Sequence, residues 1–241
     1  MLGAIAAVRR GKAVHPHGAV HAARLVLDGT GPSGSTLLGT AGEHRAIVRF
    51  SRSVGVPRPI PDLLGMSIRV LDAYGQDEHQ DLMLVSSADL PVAHHIFLPA
   101  SDVQQRPYTS SLPFRAGDER FLIGALPVAG SPRPGGGNEL ERLAAAAATG
   151  RLRFDLAVAA VMGRFRPVGQ IWVESRLPGE LDALRFNPWN SGGGLEPAGA
   201  LNGARDRAYK MSQAAWGRTQ RHGAELQRDA DRRLSAARLR G

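Results

Sequence analysis

The stretch AIVRFSRSVGVPRPIPDLLGMSIRVL, residues 46–71, holds two short apolar runs separated by a proline-rich connection. Residues 46–51 alternate, with Ile47, Arg49 and Ser51 on one face, which is the two-residue period of a strand. Prolines 57, 59 and 61 make 54–61 a loop, and 66–71 predicts a second strand. A hairpin connection around Gly75, residues 72–80, leads into a third strand at 82–85. On the N-terminal side, 19–27 predicts a strand broken by His21 and Arg24, then a turn at 29–34 and a polar connection at 36–43. No helix of ten residues fits between these strands, so they predict an antiparallel sheet or barrel. Further on, 102–117 is polar and interrupted by proline, and SPRPGGG at 131–137 is a loop. That loop lacks the Gly-Lys-Ser/Thr that a phosphate cradle needs. Asn138, with Glu139 and Glu141 in the first turn, predicts a helix over 138–148 that ends near Gly150. Residues 153–162 are apolar and open to helix or strand, whereas 168–177 alternates as a strand that Pro178 and Gly179 end.

The chain has 241 residues, 43% of them hydrophobic, enough for one core, and a single domain over 1–218 with a helical tail at 219–241 is expected. Absence of cysteine excludes disulfides, thiolate ligands and covalently attached c-type haem. No apolar run reaches the length of a membrane span, and MLGAIAAVRR places its charges after the apolar residues, the reverse of a secretory signal. A cytoplasmic protein is the expectation. The net charge is +8, and only Lys12 and Lys210 among the basic residues are lysines. In the tail, Arg228, Arg232 and Arg233 interleave with Glu225, Asp229 and Asp231, which predicts a solvated, salt-bridged helix and argues against a nucleic-acid partner.

Chemistry is concentrated in FNPWNSGGGLEPAGALNGARDRAYKMSQAAWGR, residues 186–218. Asn202 can cap a helix that carries Arg205 and Tyr209 one turn apart. A guanidinium there favours the phenolate, and a tyrosinate is one of the few protein ligands that hold ferric haem. The alternative is an interfacial tyrosine whose hydroxyl meets an arginine or a carbonyl. Near the N-terminus, His15, His17 and His21 fall on alternate positions, which also admits a metal site.

Three segments together resemble the haem catalase superfamily, most closely its short catalase-related members. Phe186, Pro188, Trp189, Asn190, Pro197, Leu201, Asn202, Arg205 and Tyr209 follow that family's proximal segment in order. Lys12, His15, Pro16, His17 and Gly18 match its distal His-x-x-Gly with a basic residue three places earlier, and His17 stands where the family has lysine. Val48, Arg49, Phe50, Ser51, then Asp62, Gly65 and Asp81-Leu82 follow its central strands. Three departures stand out: Val85, Ser86 and Ser87 occupy the region of the family's distal asparagine, Lys12 replaces an arginine, and Trp216 replaces a second arginine after the proximal tyrosine.

The resemblance implies an α+β fold, an antiparallel catalase-like barrel with flanking helices and a C-terminal helical segment. It implies haem b held by Tyr209 with Arg205 as its charge partner, Arg49 and Lys12 anchoring the propionates, and His15 as the distal acid-base. Hydrogen peroxide or an organic hydroperoxide is the implied substrate, with weak or no true catalase turnover because the distal asparagine is missing. The alternative is a non-catalytic haem-binding or haem-free module on the same fold. His94 and His95 are expected to be structural. Little N-terminal arm precedes His15, so a homo-oligomer, if formed, is expected to be small.

Overall fold

The computed structural model describes residues 17–57, 59–91, 93–110 and 112–198. Lys12, His15, Arg205, Tyr209 and the tail at 219–241 lie outside the described residues. The elements are β1 (His17–Asp28), β2 (Ala41–Arg52), β3 (Leu64–Gly75), β4 (Glu78–Ser86), β5 (Tyr108–Thr109), β6 (Phe114–Ala116) and β7 (Glu119–Pro127). They continue with helix α1 (Glu139–Ala147), β8 (Arg153–Ala160), β9 (Arg166–Arg176), a 3-10 turn (Gly179–Ala183) and β10 (Leu195–Pro197). Strands run in the order β7-β5-β4-β3-β2-β1-β9-β8, and β8 pairs back onto β7, closing an antiparallel barrel of eight strands. β6 and β10 extend from the free part of the β7 edge. Among the described residues no helix is long and apolar enough to cross a membrane.

Alternation along each strand fills two separate cores. Leu25, Val48, Phe50, Met66, Ile68, Leu82, Ile123 and Phe154 belong to the lumen cluster. Phe50, Tyr108 and Phe154 meet there at tilted and edge-on angles, with centroids 5.7 to 6.2 Å apart. The opposite face carries Val20, Ile47 and Leu71, packed against Leu184, Phe186 and the half-buried Met83, Leu177 and Leu181. Strands buried on both faces read as near-continuous apolar runs. That is why 153–162, open between helix and strand from its pattern, folds as β8, with Leu156, Ala157 and Val158 all buried.

Several strands exceed their apolar signal. β2 begins at Ala41 rather than 46, because residues 41–44 are held by ladder pairing with residues 25–28 of β1 and not by burial. The stretch 102–117, polar and interrupted by proline, contains β5 and β6. α1 matches its expectation: Asn138 Oδ1 accepts from the amides of Leu140 and Glu141, and Glu141 Oε2 accepts from the Asn138 amide, a reciprocal cap.

Two buried arginines tie the connections to the barrel. Arg52 donates to Glu139 Oε1 at 3.1 Å and to the Ile60 carbonyl at 2.8 Å. Its Nε lies 3.4 Å from Asp62 Oδ2, so the loop after β2 and the start of α1 share one cation. On the outer face, Arg69 grips Asp81 through two bonds of 2.7 and 2.8 Å. The same pair holds the chain that crosses this face: Arg69 donates to the Arg185 carbonyl, the Asn187 amide donates to Asp81 Oδ2, and the Asp81 amide donates to the Asn190 carbonyl. Breaking a buried pair leaves an uncompensated charge, so Asp81→Ala should lower unfolding stability by about 3–5 kcal/mol, read from the urea midpoint. The Arg69→Met/Asp81→Leu double variant should recover most of that loss.

Candidate functional site

Register places the motif residues of β1 to β4 on the outer face of the barrel. One row runs Val20, Arg49, Ser67, Met83; the next runs Gly18, Ser51, Gly65, Val85. The second row therefore presents two glycines and a serine before Val85, a shallow strip with little side-chain relief. Arg49 is 4% exposed, and its Nε donates to the Asp182 carbonyl at 3.2 Å. A Cβ at position 18 would lie 2.7 Å from the Arg49 Cζ, so glycine there leaves room for the guanidinium. Burial lowers the Arg49 pKa below its ordinary value, and the Asp182 carboxylate works against that shift. A cation removed from water in this way favours an anionic partner.

Asp182 organises the edge of this face. Its Oδ1 accepts from the Val20 amide at 3.0 Å and its Oδ2 from Arg176 at 2.6 Å. Arg176 donates in turn to the carbonyls of Val20 and Leu177. A bulge between β1 and β9 brings Arg176 to this position, His21 facing Arg176 while Ala23 faces Val173. No local motif marks Asp182; besides Arg176, six residues away, its partners lie 162 residues away in β1 and 133 residues away in β2.

Of the expected site residues, Arg49 lies on this face, and His15, Lys12, Arg205 and Tyr209 lie outside the described residues. His21 faces the opposite way, into the lumen, fully buried and edge-on to Phe50 at 6.3 Å. Its two ring nitrogens have no hydrogen-bond partner among the described residues. His94 is structural: its Nε2 is 2.8 Å from the Gly163 carbonyl, and its ring meets Phe165 edge-on. Its carbonyl accepts from Thr109 Oγ1, while His95 is exposed. Among the described residues no cluster of three metal-ligating side chains occurs. Val85 points to the outer face and is half-buried, whereas Ser86, one step on, turns inward, accepting from the Leu64 amide and donating to the Leu98 carbonyl.

No family model matches the chain, and no curated protein matches it. Solved structures do. A bacterial catalase superposes with a TM-score of 0.57 at 14% identity, covering 93% of this chain. A fungal catalase gives 0.53 at 14% identity over 81% of this chain. The fold is catalase-like. Catalase A from Saccharomyces cerevisiae gives 0.53 at 12% identity, again over 93% of this chain. The chain spans 59%, 58% and 63% of the length of these three catalases. At such identities the likeness is one of fold, and the catalase-like barrel carries Arg49 on its outer face and His21 within.

Burial, followed by the charge of Arg176, lowers the His21 pKa from 6.5 to about 4. The folded barrel thus holds a neutral imidazole that the unfolded chain would protonate between those values. Stability should be complete above pH 6.5 and fall as pH drops toward 4, by roughly 2–3 kcal/mol. His21→Leu should flatten that part of the profile, measured as urea midpoints from pH 4 to 7.5.

Proposed function

We propose that this chain is a haem-dependent oxidoreductase of the catalase-related kind, acting on hydrogen peroxide or an organic hydroperoxide with weak or no true catalase turnover. The observation that carries the reading is the desolvated Arg49 guanidinium standing beside the Gly18, Ser51, Gly65 strip on the outer face of the barrel. A flat macrocycle with anionic propionates is what such a surface can accept: glycines give close approach, and the buried cation meets a carboxylate. The flat strip of Gly18, Ser51 and Gly65 beside a buried cation supports haem b as the group.

In this reading Tyr209 supplies the oxygen ligand, and Arg205 one turn earlier keeps it ionised. Arg49 and Lys12 hold the propionates, Lys12 as a point charge rather than a fork. Haem, when bound, would supply the redox-active iron at which the peroxide is reduced. His15 would take the proton from one peroxide oxygen and return it to the other, so that the O–O bond breaks with water or an alcohol leaving. The whole reaction balances as ROOH plus two electrons and two protons giving ROH and H2O, the electrons coming from an external organic reductant. Val85 in the region of the distal asparagine withdraws an amide that would orient hydrogen peroxide, and this favours peroxidase chemistry over dismutation.

The purified protein loaded with haem should show a Soret band with the bands of a ferric tyrosinate, and Tyr209→Phe should lose it. His15→Ala should keep the band and lower the peroxide reaction rate by about 10²-fold or more. A tyrosinate spectrum with no peroxide turnover in the wild type would favour a carrier or sensor, the reading that Val85 also allows. Absence of any Soret band would remove haem from the account.

A further inference from the structure

One end of the barrel carries loops whose apolar side chains point out and whose polar ones point in. β1 starts at His17 opposite Arg52, the last residue of β2, and Arg52 stands opposite Leu64, the first residue of β3. Val85, next to the end of β4, stands opposite Gly65. The loops 53–63 and 87–107 therefore leave from the end at which β1 begins. Val54, Ile60, Leu90, Ile96 and Phe97 lie on these loops and are exposed, Leu90 to 61%. The remaining large exposed hydrophobic side chain among the described residues, Met162, precedes β9 at the opposite end, since β9 finishes beside His21. Polar groups of the same region turn inward. Arg52 donates to the carbonyls of Val56 and Ile60, and Asp62 accepts from the amides of Val54 and Gly55. Ser87 and His94 are buried as well. Bonds from the Ala88 amide to the Ile96 carbonyl and from the Ala100 amide to the Asp62 carbonyl hold the main chain in place. Among the described residues of 53–62 and 88–99, the exposed titratable side chains are Asp89 and His95. An apolar surface held outward in this way marks an interaction site.

The sequence adds charge at the same end. Arg9 and Arg10 follow the uncharged, apolar residues 1–8, and Arg10 precedes β1 by seven residues. Seven extended residues span at most about 25 Å, so both cations are tethered beside the apolar loops. We infer that this end of the barrel docks on an anionic lipid bilayer, with Val54, Ile60, Leu90, Ile96 and Phe97 entering the headgroup boundary and Arg9 and Arg10 meeting acidic headgroups. The apolar side chains leave water on docking, and the cations add attraction to the negative surface. Either contribution alone gives weak, reversible attachment, whereas the two together hold. A second copy of the chain suits this end less well: a two-fold contact through these loops sets the cations of one copy against those of the other, on chains that each carry a net charge of +8. Docking needs no haem, so it stands or falls apart from the reaction proposed above.

The test uses the full-length, untagged protein and sedimentation with vesicles of phosphatidylcholine, alone or with phosphatidylserine added. At low salt the protein should sediment with the mixed vesicles, and raised salt should release it. Arg9→Ala/Arg10→Ala should lower the partition coefficient for mixed vesicles by about 10- to 30-fold. Phe97→Asp should lower it by about tenfold or more, while Met162→Asp should leave it unchanged. A second readout serves if the aspartate variant does not fold. Because the chain has no cysteine, Leu90→Cys and Met162→Cys can each carry a single NBD fluorophore. Mixed vesicles should shift the emission to the blue at position 90 and leave it in place at position 162. Sedimentation that is absent or indifferent to phosphatidylserine, equal spectral shifts at both positions, or equal losses in Phe97→Asp and Met162→Asp overturn the docking. A lipid-free dimer that Phe97→Asp dissociates gives this end to a second copy and overturns it too.

Discussion

Strands β1 to β4 are apolar on both faces, and only one of those faces can look into the lumen. The other must be covered, and the chain after β9 does this as a strap, residues 177–190, laid across the outside. The strap contributes Leu177, Leu181, Leu184 and Phe186 to the outer cluster, but its hold is polar. Two carboxylates fasten it from opposite directions. Asp182 belongs to the strap and reaches the Val20 amide in the barrel, while Asp81 belongs to the barrel and receives the Asn187 amide of the strap. Each carboxylate is also bound by an arginine, Arg176 in one case and Arg69 in the other. Charge-assisted bonds at both ends fix the register of the strap, which apolar contact alone leaves free to slide.

That fastening shapes the face that remains. Arg69 and Arg49 are two strand steps apart in parity on neighbouring strands, and both are almost wholly buried. Arg69 spends its charge on a bidentate carboxylate and lies 5.3 Å from the Phe186 ring, so its role is structural. Arg49 has a carbonyl from the strap at 3.2 Å, and the Asp182 carboxylate is engaged with Arg176 and Val20. The strap covers both guanidinium groups, Arg69 through the Arg185 carbonyl and Arg49 through the Asp182 carbonyl.

The legible parts of this fold were those where burial writes a pattern. Ile47, Arg49 and Ser51 share a face as their spacing predicted, and the cap at Asn138 formed as its residues implied. Elements held by pairing rather than burial were not visible: the exposed first half of β2, the two-residue β5 and the three-residue β10 acquire their conformation from a neighbour. Single residues were harder still. His21 reads as one of three histidines near a motif, yet a strand step of one turns it from the outer face into the lumen, where Phe50 and not a ligand meets it. Asp182 sits in an unremarkable GELDA turn, and besides the nearby Arg176 its partners are more than a hundred residues distant. Pairing order and register decided both, and neither is contained in a local window.

The same strand parity bears on how such a barrel can vary one face without disturbing the other. On the outer face Arg49 comes from β2, whereas the far edge of the face belongs to β4. Substituting an outward-facing β4 residue alters what rests on that edge and leaves the lumen untouched, since its neighbours Leu84 and Ser86 carry the inward packing. A change of polarity at position 85 would leave no unsatisfied partner in the core, because Val85 is only half-buried. Two separately packed faces let the apolar barrel hold its shape while β4 varies, and Val85 stands in the row beside that of the buried Arg49 cation.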